Sequence, residues 1–164
     1  ICLSPAEFPG HKMAYQAEGK EIVIIDARDY KYGACTGRVI EHWHTGSMTS
    51  RVPELKRAVA KAYVEISSKL AEKLGVKDGE ALIVESPRGK IELPAKVLDI
   101  RKATGGPRED YVFVPWFDEG KLINMIMRDS FDPFSFQADY KMFAVKIYKG
   151  KTRTPQAEPK PVMA

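Results

Sequence analysis

Apolar positions along the chain recur mainly with the two-residue period of β-strands. Ile91, Leu93, Ala95 and Val97 alternate with more polar neighbours, as the residues of a half-buried strand do. Other short runs, rich in β-branched and aromatic residues, predict further strands on both sides of this stretch. These further strands are predicted over residues 21–27, 31–40, 63–66, 81–86, 111–116 and 144–148.

Helical spacing is confined to short segments between the predicted strands. Ser67 or Ser68 can cap a helix in which Leu70 and Leu74 lie one turn apart, and Gly75 can end it by accepting a left-handed backbone. The other predicted helices cover residues 53–59 and 121–127. Many short strands separated by brief helices and Gly/Pro turns predict a mainly β chain of the α+β kind, folded as a closed or nearly closed barrel.

The two ends of the chain differ from its middle. Residues 1–20 mix proline and glycine with polar residues, which predicts an irregular arm. The last fifteen residues contain three prolines and little apolar content, which predicts a disordered tail. Because the chain begins with Ile1 and not with methionine, we expect a processed product or a piece of a longer protein. The expected parts are an arm with the first strand over residues 1–30, the barrel over 31–149 and the tail over 150–164.

Composition and charge narrow the classes of function. The chain has 164 residues and an apolar content of 44%, which suits one globular domain. Its apolar runs are far shorter than the roughly 18 residues of a membrane helix, so we expect no membrane insertion. The net charge is +4, but basic and acidic residues are interleaved, which favours a mixed solvated surface over a nucleic-acid site and leaves a basic, anion-binding cleft open. Cys2 and Cys35 form no disulfide framework or metal motif and are expected to be plain thiols.

Polar chemistry is concentrated in the ten residues 36–45. Gly37 lets a ligand approach the backbone closely, while the Thr36 hydroxyl and the Arg38 guanidinium are donors for phosphate. The alternative is a surface turn with an exposed arginine. His42 and His44 would face the same side of a strand, as in some metal sites, but no third ligand has suitable spacing. The histidines are better interpreted as hydrogen-bonding a polar ligand or holding a loop.

A second group of candidates lies in the last third of the chain. Trp116 and Phe117 are adjacent aromatic residues at a predicted strand end, and the amide of Asn124 could bind the edge of a polar ring. The alternative is that they plug the barrel, with Asn124 capping its helix and Lys141 an ordinary surface lysine. No spacing resembles a phosphate-binding P-loop or a nucleophile motif, so we assign no catalytic residue and no metal ligand within this chain.

One long motif carries a family resemblance. It reads Thr36-Gly37-Arg38-Val39-Ile40-Glu41-His42-Trp43-His44-Thr45-Gly46-Ser47-Met48-Thr49. The motif closely resembles the start of the C-terminal cofactor domain of periplasmic nitrate reductase catalytic subunits, which belong to the molybdopterin oxidoreductases. The resemblance covers residues 35–149 and continues through residues 51–55, 71–79, 88–89, 114–118, 122–124 and 139–141.

The resemblance implies a double-psi β barrel and a bis-molybdopterin guanine dinucleotide cofactor carrying molybdenum. Carried over position by position, the cofactor contacts fall on Thr36, Gly37, Arg38, Val39, Ile40, Glu41, His42, Trp43, His44, Thr45, Asn124 and Lys141. Trp116 stands near the substrate channel, where the family usually has phenylalanine. The substitution keeps an aromatic wall and adds an N–H donor.

The resemblance also implies what this chain lacks. In the family, the iron–sulfur cluster and the cysteine that binds molybdenum lie in the N-terminal part, so this chain alone is not expected to be catalytic. It would close over a cofactor shared with that catalytic portion, which reduces nitrate to nitrite in the periplasm with electrons from a c-type cytochrome. Its own contribution would be positioning and electrostatics.

Several alternatives stay open at this point. Within the same superfamily, the chain could serve a formate dehydrogenase-like molybdoenzyme or an assimilatory nitrate reductase, or be a separate cofactor-binding subunit, and tungsten could replace molybdenum. In another class, it could be a cofactor-free binding barrel.

Overall fold

The computed structural model of the protein describes residues 12–16, 22–26, 29–99, 109–117, 123–127, 134–138 and 141–151. The strands in these residues are β1 (Lys12–Gln16), β2 (Ile22–Asp26), β3 (Tyr32–Gly37), β4 (Val64–Ser67), β5 (Ala81–Ser86), β6 (Gly89–Leu98), β7 (Tyr111–Pro115) and β8 (Phe143–Lys149). The helices are α1 (Pro53–Ala58) and α2 (Ser68–Leu74), with short 3-10 turns at Thr49–Arg51 and Ile123–Met125.

Six of the strands close into a barrel in the order β3-β7-β4-β6-β5-β8. The pairs β3/β7 and β4/β6 are parallel, and the other neighbours are antiparallel. The prediction of a mainly β barrel with short helices is therefore confirmed. Alternate residues of the strands fill its interior. The side chains of six of them are at most 1% exposed: Val64, Ile66, Leu82, Val84, Val112 and Val114. Each such side chain contributes about 1.5–3 kcal/mol on burial.

Helix α2 forms as its sequence predicts. The Ser67 hydroxyl accepts a hydrogen bond from the Leu70 N–H at 3.2 Å and so caps the first turn. Gly75 follows the last turn with φ +63°, and the Val76 N–H bonds back to the Ala71 carbonyl at 3.0 Å. Leu70 and Ala71 are buried, so the helix packs one face on the core.

Two predictions of local structure are wrong in part. The arm was expected to be irregular, but β1 pairs antiparallel with β2 from Lys12↔Asp26 to Gln16↔Ile22. Backbone hydrogen bonds between two strands do not require alternating apolar residues, so the sequence of β1 shows no clear strand pattern. The helix expected over 121–127 is only the 3-10 turn at Ile123–Met125, and residues 121 and 122 lie outside the described residues.

Residues 152–164, which make up most of the predicted tail, also lie outside the described part of the chain. No helix in the described ranges is long and apolar enough to cross a bilayer.

Candidate functional site

Three strand ends meet at one end of the barrel. β3 and β7 are parallel with Gly37 opposite Pro115, so Arg38 and Trp116 leave the two strands side by side. β8 runs antiparallel to β3 with Phe143 opposite Ala34, so Lys141, just before β8, comes to the same end. We call Arg38, Trp116 and Lys141 the rim. Strand register thus brings together residues that are far apart in sequence.

The Trp116 ring lies at the centre of the rim. The Arg38 guanidinium carbon is 5.8 Å from the ring centroid, and the Lys141 ammonium nitrogen is 5.7 Å from it. Arg38 also lies 5.7 Å from the ring of Trp43, and the His44 ring is 5.9 Å from that of Trp116. These are cation–π and aromatic contacts of ordinary length, so the rim has a compact surface of cations and flat rings.

Within the described ranges, no carboxylate pairs with the charges of the rim. Among the described residues, neither Arg38 nor Lys141 forms an ion pair, and Lys141 donates only a long hydrogen bond, 3.5 Å, to the Thr36 carbonyl. Two cations beside one ring repel each other, and a bound anion would attract both of them. The arrangement therefore suits a ligand with negative oxygens.

The indole N–H of Trp116 is a further polar group at the rim. Its Nε1 atom is buried and has no hydrogen-bond partner among the described residues. Buried indole N–H groups normally find an acceptor, and leaving one without a partner costs about 1–3 kcal/mol. An acceptor oxygen delivered by a ligand would satisfy this group.

Gly37 and Cys35 have local reasons for their residue types. A Cβ atom at Gly37 would lie 2.7 Å from the Phe113 ring, so the glycine makes room for that ring, while ligand approach to its backbone stays a prediction. The side chain of Thr36 is buried at the end of β3. Burial raises the pKa of the Cys35 thiol despite the nearby Lys141, so the group stays a thiol at neutral pH, as predicted.

The strand predicted over residues 31–40 ends at Gly37, and this changes the relation between the two histidines. Beyond Gly37 the chain runs through turns, so His42 and His44 no longer share a face. His42 is 4% exposed, whereas His44 is exposed and has a positive φ of 52°. The same-side arrangement considered for a strand does not apply, because the backbone here is not extended.

His42 is held within the chain at both ring nitrogens. Its Nε2 lies 2.7 Å from the Val59 carbonyl, which can only accept, so Nε2 carries the proton. Its Nδ1 then accepts from the Thr49 hydroxyl at 2.9 Å, and that hydroxyl accepts from the Trp43 N–H at 3.2 Å. The ring stacks on Phe117 with centroids 4.5 Å apart. The predicted packing of Trp43 against the histidines is seen at His44, although Trp43 is 57% exposed.

The remaining residues of the stretch are mostly accessible. Ile40 is 98% exposed, Thr45 is exposed, and Glu41 and Val39 are half-buried, Val39 packing against the core. The His44 ring meets the Trp43 ring edge-on at 4.6 Å. The loop therefore offers backbone and ring surface next to the rim.

Asn124 comes from a different element. It is exposed on the 3-10 turn Ile123–Met125, whose neighbours Ile123 and Ile126 are buried in the core. Among the described residues it takes no part in the ring and cation contacts around Trp116. The structure thus joins Lys141 and Trp116 to the stretch that begins at Thr36, whereas the cofactor contact of Asn124 stays a prediction.

Sequence reasoning missed the residues that support the loop. Thr49, Phe117 and the Val59 carbonyl hold His42, and nothing in their spacing indicates this. The pairing of Arg38 with two indole rings was also missed, since it depends on the register of β3 and β7.

Comparison with known proteins gives results that agree with this geometry. The family model described as Molydopterin dinucleotide binding domain matches residues 33–144. A periplasmic nitrate reductase from Campylobacter fetus subsp. fetus (strain 82-40) is 48% identical over 125 residues, which are 76% of this chain and 13% of that protein. The chain thus spans only a small part of the length of this relative.

A solved structure supports the fold. Acetylene hydratase from Pelobacter acetylenicus superposes with a TM-score of 0.60 at 20% identity, over 76% of this chain and 19% of the other. At that identity the likeness shows the fold alone. Because the family model covers more than half of the sequence, the chain belongs to the Molydopterin dinucleotide binding domain family.

Proposed function

We propose that this chain is the cofactor-binding C-terminal portion of a molybdenum nitrate reductase and that it holds bis-molybdopterin guanine dinucleotide at the rim. Family membership and the 48% identity to a periplasmic nitrate reductase support this proposal. The chain matches 13% of that relative, so the reduction of nitrate to nitrite belongs to a larger assembly. The barrel over residues 31–149 is the cofactor-binding unit of this proposal.

The observation that carries the proposal is the pair of cations around Trp116, neither of which forms an ion pair with a described residue. Arg38 and Lys141 both face its ring, and its Nε1 has no partner among the described residues. A dinucleotide cofactor carries a pyrophosphate, whose oxygens can accept from a guanidinium fork, an ammonium and an indole N–H. The residues present therefore fit the chemistry of this group.

Each proposed contact then has a distinct role. Arg38 and Lys141 neutralise phosphate charge, while the exposed rings of Trp43 and His44 offer flat surface to the pterin and guanine rings. The other residues of the stretch from Thr36 to Thr45, and Asn124, remain proposed contacts through backbone and amide groups. Trp116 would separate the cofactor from the path of the substrate.

Molybdenum, when bound, supplies the oxygen-transfer and redox chemistry. The residues of this chain bind and orient the cofactor and keep water from its buried side. Because no residue here is assigned a catalytic role, the chain would affect the rate through cofactor position and electrostatics.

The proposed partners follow from the missing part of the enzyme. The N-terminal catalytic portion would hold the iron–sulfur cluster and share the cofactor, and a c-type cytochrome would deliver electrons. The 48% identity to a periplasmic nitrate reductase supports a periplasmic location. Turnover of nitrate, compared with formate, by the complete protein tests the substrate.

The central test is Arg38→Ala in the complete protein that carries this chain. Bound guanine nucleotide and molybdenum per polypeptide are measured after a fixed time in cofactor-free buffer. Losing one charge-assisted phosphate contact costs about 1.5–3 kcal/mol, so retention should weaken about 10- to 100-fold. Arg57→Ala is the matched control, because Arg57 pairs with Glu54 on an exposed surface and should retain cofactor normally. Equal retention in both variants would contradict the proposal.

A further inference from the structure

The His42 side chain connects three points of one segment, residues 42–59. In the neutral imidazole the hydrogen bonds run in one direction: the Trp43 N–H donates to the Thr49 hydroxyl, which donates to Nδ1, while the Nε2–H donates to the Val59 carbonyl. Val59 also terminates α1, since its N–H bonds to the Leu55 carbonyl. One imidazole therefore fixes the start, the middle and the end of the segment.

The same ring is supported from the barrel side. Phe117 is 4% exposed and stacks on His42 at an interplanar angle of 27°. Phe117 directly follows Trp116, whose ring is in contact with both cations of the rim. A shift of the His42 ring would therefore act on the strand end that carries Trp116.

The backbone next to His42 is in a conformation that needs support. His44 has φ +52°, a region that costs a side-chain-bearing residue energy and persists only when its surroundings determine it. Gly46, at φ +82°, lies against the His42 ring, where a Cβ would come 3.6 Å from Nδ1. The hydrogen bond from the Trp43 N–H to Thr49 holds the residue before this unusual backbone.

We infer that His42 is a positioning residue of the rim: its ring holds Trp43 and His44 beside Arg38 and Trp116 and does not itself bind the ligand. This inference rests on the proposed function only in taking the ligand of the rim to be the dinucleotide cofactor. Both nitrogens of the ring are already used inside the chain, and the ring is almost fully buried, so it has no free donor or acceptor for a ligand.

The test uses Thr49→Val in the complete protein. Valine keeps the shape of threonine and removes the hydroxyl that joins His42 to the Trp43 N–H. Two quantities are measured: amide hydrogen exchange of peptides covering the 42–59 segment, and guanine nucleotide retained after washing. We expect exchange to become about tenfold faster and the cofactor to be released several-fold faster. Ser47→Ala removes an exposed hydroxyl from the same segment and should change neither quantity.

A second pair of variants separates positioning from direct binding. His42→Gln should speed exchange and cofactor release together, whereas His44→Asn, which tolerates a positive φ, should speed release and leave exchange of the 42–59 segment unchanged. Faster exchange in Thr49→Val with normal cofactor retention would overturn the inference. Cofactor loss in His42→Gln with unchanged hydrogen exchange would also overturn it, because that result would mean that the His42 ring binds the cofactor directly. Neither outcome bears on Arg38→Ala, which tests the proposed function separately.

Discussion

Substitution of Gly37 by alanine tests why a glycine ends strand β3. The new Cβ would lie 2.7 Å from Cε2 of Phe113, whereas carbon atoms prefer separations of about 3.5–4.0 Å. Gly37 is not among the described residues with a positive φ, so the backbone itself accepts alanine. The cost is therefore the contact alone. Phe113 is half-buried and its ring can swing outward, which places the cost near 1 kcal/mol, the lower end of the usual range for overpacking.

Hydrogen exchange of the β3 and β7 amides in the complete protein measures this cost, because 1 kcal/mol corresponds to about fivefold faster local opening. The double variant Gly37→Ala/Phe113→Leu should exchange like Phe113→Leu alone, since leucine vacates the space. If the two effects simply add, the Phe113 ring is not the reason for the glycine and our reasoning is refuted. If protection returns but cofactor retention stays low, Gly37 also serves close approach of the ligand, as its sequence context predicted.

Three further substitutions have defined outcomes. Ser67→Ala should destabilise the first turn of α2 by about 1 kcal/mol, measured as faster exchange of its amides, while Ser68→Ala should not. The hydrogen bond to Glu85 raises the pKa of Tyr148 from 10.0 to about 12. The stability that this bond adds is therefore present below pH 10.0 and is lost as the pH rises towards 12. In Tyr148→Phe, the free energy of unfolding measured between pH 10.0 and 12 should not show this loss. Trp116→Phe keeps an aromatic ring and removes the N–H, so the cofactor should be released several-fold faster, while the thermal stability of the cofactor-free protein should hold.

Most of the barrel could be predicted from the sequence because burial of one face imposes a period of two. Ile91, Leu93 and Ala95 alternate in the sequence and are buried in the structure. The helix caps at Ser67 and Gly75 could also be predicted, because each depends only on residues within one helical turn. The order of strands in the closed barrel was not readable, because it depends on contacts between segments far apart in the chain.

The candidate site was predicted in its residue types but not in their roles. His42 and His44 have the same side chain two positions apart, yet one is buried in a hydrogen-bond network and the other is exposed. What separates them is the turn that follows Gly37, and no periodicity marks it. The partners of His42, at Thr49 and Val59, are tertiary and leave no sequence signal, whereas the idea that the histidines hold a loop was right for His42.

Strand pairing places the cations of the rim close together, and their repulsion destabilises this end of the barrel. Arg38 and Lys141 are brought together by the pairing of β3 with β7 and β8, and not by attraction between them, so the folded chain opposes their mutual repulsion. An anion that binds only the folded rim removes that repulsion and supplies an acceptor for the Trp116 N–H. By linkage, such a ligand must stabilise the fold that binds it. Loss of the cofactor and loosening of the ends of β3 and β7 should therefore occur together, and a cofactor-free preparation should show its fastest barrel exchange at this end.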